Sequence, residues 1–194
     1  EIYVDECTIE HSEQFIDLLE TWDVPLFLSG HLHVQHCKRS EDNRGIWEMV
    51  TASLATPSCK YAILTYRDDR SFLYRTQSLD VEAWAKKNQC TEEDLLNFKQ
   101  FQTPFLRRVF YNQAIASLNE VPELTDSERE QMAQLYSLLK FHYYQGTAYQ
   151  VQEPVRNDPA YELWQEDGMA TQQGEYFRYI LEDGKRDYNR LEVN

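Results

Sequence analysis

Leu26-Phe27-Leu28-Ser29-Gly30-His31-Leu32-His33-Val34-Gln35-His36 carries the densest signal in the chain. Three apolar residues after Pro25 read as a short buried strand that stops at Ser29-Gly30. A glycine there lets the backbone turn sharply and approach a ligand closely. His31 and His33 then stand at i and i+2, which in an extended segment sends both imidazoles to one side, about 6–7 Å apart. That spacing suits one imidazole on each of two metal ions roughly 3.5–4 Å apart better than chelation of a single ion. Neutral imidazole is the commonest side-chain metal ligand, so His31 and His33 are the candidate metal ligands. A polar turn with a solvated histidine pair is the plain alternative for the same string.

Upstream, His11 to Trp22 places Phe15, Ile16, Leu18, Leu19 and Trp22 at helical spacing, with Ser12 as N-cap. Downstream, Ile46–Ala52 alternates as a strand. Lys60–Tyr66 and Ser71–Gln77 flank Arg67-Asp68-Asp69-Arg70 as a hairpin with a polar tip. Beyond Leu79 the texture turns helical. Asp80 opens a helix to about Lys87, and Thr91-Glu92-Glu93-Asp94 resembles a capping box. Thr103-Pro104 reads as an N-cap followed by proline at the first helical position. Thr125 opens what reads as the longest helix, with Met132, Leu135, Tyr136, Leu139 and Tyr143 as its apolar stripe and Gly146 as its stop. Shorter helices follow around 159–166 and 174–182. The fold class is therefore α+β, strands first and helices after, divided at residues 1–79 and 80–194.

The 194 residues carry 42% hydrophobic and 13% aromatic side chains, enough for a real core, so disorder is excluded. Nineteen Lys and Arg against 33 Asp and Glu leave a net charge of −14, which argues against binding polymeric nucleic acid. A small anionic substrate held by metal ions remains compatible, because a site's field is local. Cys7, Cys37, Cys59 and Cys90 show no CxxC spacing and read as ordinary thiols. No apolar run reaches the ~20 residues of a spanning helix, and no targeting segment is visible, which leaves the compartment open.

Phe27-Leu28-Ser29-Gly30-His31-Leu32-His33 resembles the closing GHxH motif of the calcineurin-like metallophosphoesterases. Glu48 to Ala55 and Tyr61 to Leu64 are similar to the strands that follow that motif. Tyr143-Tyr144-Gln145-Gly146 and Asp158 to Trp164 resemble the helical C-terminal domain of a bacterial, cyclic-nucleotide-phosphodiesterase-like branch. The resemblance implies the last strands of a metallophosphoesterase β-sandwich followed by a mainly helical domain. It also implies a hydrolase using two divalent metal ions (Mn, Fe or Zn), with His31 on one and His33 on the other. A metal-bridging hydroxide would attack a small phosphoester, a cyclic nucleotide among the candidates.

The family's earlier motifs, DxH, GDxxD and GNH, occur nowhere in the chain, and only His11 lies upstream as a spare histidine. His11 reads as helix-start polar surface. The chain thus reads as the C-terminal part of a longer enzyme, inactive by itself, whose strands expect the missing N-terminal half or self-association. His36 reads as a solvated loop residue, with a ligand-supporting or substrate-facing role as the alternative. Gln35 and Ser29 read as strand-end polar groups that could also orient ligands, and His142 as packing. A non-catalytic helical protein-interaction module is the alternative from another class.

Overall fold

The computed structural model describes residues 9–39 and 45–194, and Cys7 lies outside them. The chain is α+β: the described residues form eight α-helices and two three-stranded sheets. Helix α1 (Ser12–Thr21) is capped by His11 in the left-handed conformation, not by Ser12, and it buries none of its residues. Its Phe15 ring meets Phe27 edge-on at 5.2 Å, while Leu18 and Trp22 stay 53% and 74% exposed.

The first sheet holds β1 (Leu26–Ser29), β2 (His36–Arg39) and β3 (Trp47–Val50) in the order β1-β3-β2. β1 runs parallel to β3, with Leu28 opposite Met49, and β2 runs antiparallel to it. Among the described residues, the outer edge of β1 carries no partner strand. The hairpin forms as expected, β4 (Lys60–Tyr66) against β5 (Phe72–Ser78), with Lys60 opposite Ser78. A third strand, β6 (Arg190–Val193), joins β5 antiparallel and closes the second sheet. The sheets share a small core of Met49, Phe72, Tyr74 and Cys37, which Tyr188 completes.

The helical part begins with α2 (Val81–Lys87), whose Asp80 side chain accepts the Ala83 amide, followed by the single turn α3 (Glu93–Leu96). No side-chain cap forms at α3, so the Thr91 capping box is absent. Helix α4 (Phe98–Leu118) starts earlier than Thr103-Pro104 suggests and is longer than α5 (Asp126–Tyr144). Pro104 lies inside α4, where it lacks an N–H to bond the preceding turn. The rings of Phe98, Phe101 and Phe105, at 6.2 and 5.1 Å along the series, favour extending the helix back past it.

The Thr125–Glu128 capping box at the start of α5 is fully made. Three further helices follow, α6 (Gln152–Arg156), α7 (Ala160–Glu166) and α8 (Gln172–Asp183). Their core centres on Trp164, stacked on Phe177 at 5.1 Å and donating its indole N–H to the Met132 carbonyl at 2.9 Å. No described helix is long and apolar enough to cross a membrane.

Candidate functional site

The strand β1 delivers the chain to Gly30, around whose missing Cβ no atom lies within 4 Å. The Leu32 amide then donates to the Gly30 carbonyl at 2.9 Å, closing a three-residue turn with His31 at its apex. His31 has φ 73 and His33 has φ 59, so the segment is a bent turn and not the extended run expected from its spacing. Left-handed backbone at residues with a Cβ costs about 1–3 kcal/mol each and gathers at functional sites. The i, i+2 alternation nevertheless survives: His31 and His33 are exposed, while Leu32 and Val34 turn inward. Val34 is 2% exposed and belongs to the helical core, against which Leu32 also packs.

His36 departs from the loop reading. It is the first residue of β2, buried, with Nε2 2.6 Å from Asp183 Oδ2 at the end of α8 and its ring 4.4 Å from Tyr188. Burial pushes the Asp183 carboxyl up, but the His36 hydrogen bond and charge, with Lys38 and Tyr188, bring it below its usual value. Its burial was hidden in the sequence because its partner Asp183 lies 147 residues along the chain. His11 stands exposed at its helix start, and His142 packs edge-on against Phe141 while Nδ1 bonds the Thr147 hydroxyl at 3.0 Å.

Gln35 is fully buried and sits where five segments meet. Its amide N–H donates to the Tyr144 carbonyl at 3.2 Å, at the end of α5. Its Nε2 donates to the Tyr188 carbonyl at 2.8 Å and the Tyr74 hydroxyl at 3.1 Å. Its Oε1 accepts from the Ala52 amide at 3.3 Å. Ser29, the other strand-end polar residue, donates its hydroxyl to Glu48 Oε1 at 2.7 Å on the surface.

A cleft of ≈ 370 Å³ opens between the sheets, walled by Leu28, Leu54, Ala62, Leu64 and Tyr74, with no residue of the 30–34 turn in its lining. Lys60 borders it, with Nζ donating to the Gln145 carbonyl at 2.6 Å and to Asn189 Oδ1 at 2.7 Å, and burial pushes its ammonium down to about 8. Cys37, Cys59 and Cys90 are free thiols, and burial pushes Cys37 up to about 12, far from a reactive thiolate.

As a metal centre, His31 and His33 supply the right donor type but not a complete set. Among the described residues, no group of three or more His, Cys, Asp or Glu stands together to hold an ion. No curated protein matches the chain. Residues 80–187, from the cap of α2 to the residue before Tyr188, match the family model described as the C-terminal domain of cyclic nucleotide phosphodiesterase. That match spans more than half of the chain. With its helical array closed over Trp164 and leading back into the strand-bearing part, the chain belongs to the family of the C-terminal domain of cyclic nucleotide phosphodiesterase.

Proposed function

We infer that this chain is the C-terminal part of a metal-dependent, calcineurin-like phosphodiesterase of bacterial type that hydrolyses small phosphodiesters, cyclic nucleotides among them. The observation that carries the reading is the turn at residues 30–34: two exposed imidazoles on a strained backbone, seated from behind by Leu32 and Val34. Family membership supports the hydrolase class. In this reading His31 and His33 each contribute to one of two divalent ions, and the carboxylates come from a preceding N-terminal half. Two bound ions would supply Lewis-acid activation of water and neutralise charge on the phosphoryl group. The 80–194 part acts as a domain bordering the site.

The test is made in the intact enzyme. His31→Ala and His33→Ala should each remove most turnover of a chromogenic phosphodiester with Mn²⁺, and each should lose bound metal. Normal turnover with two retained ions in either variant overturns the assignment. A wild-type protein with neither metal nor turnover, but with tight binding to another protein, would instead favour an interaction module.

A further inference from the structure

The histidine turn is held from one side. On the near side Gly30 has open space, and both imidazoles face solvent. On the far side Leu32 and the three residues from Val34 onward are held by the helical array. Leu32 packs on its core, Val34 enters it, the Gln35 amide bonds the end of α5, and His36 bonds the end of α8. Two residues with positive φ persist only where the surroundings over-determine them, and these contacts are the surroundings.

Gln35 is the informative member, because packing alone would be served by a leucine. Its Nε2 donates to the Tyr188 carbonyl, while its Oε1 accepts from the Ala52 amide just past β3. One side chain thereby fixes the turn against both the returning C-terminal segment and the neighbouring strand.

We propose that Leu32, Val34 and Gln35 are positioning residues through which the helical domain sets the orientation of the His31 and His33 imidazoles. The proposal rests on the phosphodiesterase reading only for what those imidazoles are used for. It gives the helical domain a role in organising the site from behind, beyond bordering it.

The experiment compares Leu32→Ala, Leu32→Met and Gln35→Leu in the intact enzyme, by kinetics and by amide hydrogen exchange read by mass spectrometry. Loss of such supporting contacts should lower kcat about 10–100-fold with KM unchanged. Exchange should accelerate across residues 30–34 while that of α7 stays as in the wild type. Leu32→Met, which refills the seat, should restore both. Leu32 is only half-buried, so Leu32→Ala decides the matter if Gln35→Leu does not fold. Wild-type kcat and exchange in the turn would overturn the proposal, as would acceleration spread equally through α7. If the wild type lacks turnover, the phosphodiesterase reading fails, and the exchange pattern still decides the positioning.

Discussion

A Cβ placed on Gly146 would lie 2.8 Å from Cγ of Gln35. Gly146 follows α5 with φ 70, its carbonyl accepts the Tyr188 amide at 3.0 Å, and the Gln35 side chain passes through the space a larger residue would take. The end of the helix and the base of the histidine turn are therefore fitted to each other. Gly146→Ala meets both a disfavoured backbone and this contact, and should cost about 1–3 kcal/mol. Urea unfolding measures it, and a loss below about 0.5 kcal/mol would show that the two segments are not so fitted.

Lys140 gives a pH prediction. Its Nζ donates to Gln113 Oε1 and the Tyr136 hydroxyl, both at 2.9 Å, and lies 4.7–5.1 Å from the rings of Phe110, Tyr136 and Tyr176. Burial pushes its ammonium down to about 7 from 10.5. Between those two values the unfolded chain binds more protons at this site, so its contribution to stability rises with pH. Lys140→Met removes that slope. The stability of the wild type minus that of the variant should climb from pH 7 to pH 9, and a flat difference would refute the assignment.

Removing the carboxylate of Asp183 leaves His36 buried without its 2.6 Å partner. Asp183→Ala should cost about 2–3 kcal/mol, less than a fully buried pair because the carboxylate is partly exposed. The folded carboxyl is held below its usual 3.8, so its stabilisation is present above that value and lost as pH falls through the folded one. The gap between wild type and variant should shrink on acidification below about pH 4. Equal stabilities at pH 7 would contradict the pair's role.

The separate 194-residue chain should show no dimetal phosphodiesterase turnover and bind at most one divalent ion, weakly. Two imidazoles without carboxylates leave two divalent charges uncompensated. Calorimetric titration with Mn²⁺ and a phosphodiester assay beside the intact enzyme check this. Turnover near the intact enzyme's rate would mean that the ligand set had been misjudged. The edge of β1, which carries no partner strand among the described residues, and the exposed Leu18 and Trp22 further predict concentration-dependent association, measurable by sedimentation.

Legibility in the sequence followed the range of the interactions. The 60–78 hairpin, the Asp80 cap, the Thr125 start of α5 and its buried stripe were all readable, because each is written within a few neighbouring residues. The strand β6 was not. Arg190-Leu191-Glu192-Val193 alternates correctly but is four residues long and gains its partner from β5, far upstream. The start of α4 was hidden because a proline rule outweighed a series of aromatic contacts. At the candidate site, the pair His31 and His33 stood out by spacing, but its bent backbone did not. Nor did the burial of Gln35: a buried polar residue declares itself only through partners such as Tyr188 that the fold brings to it.

The pairing of β6 with β5 has a consequence for biosynthesis. During translation the β4–β5 hairpin leaves the ribosome as a two-stranded ribbon, which is marginal alone in water. The whole helical array must be synthesised before residues 190–193 can close the sheet beside it. Tyr188, whose carbonyl Gln35 also needs, arrives only just ahead of that strand. Chains interrupted before this point would therefore carry a formed helical domain beside an unclosed sheet and an unclamped histidine turn, leaving strand edges open to chaperones and proteases.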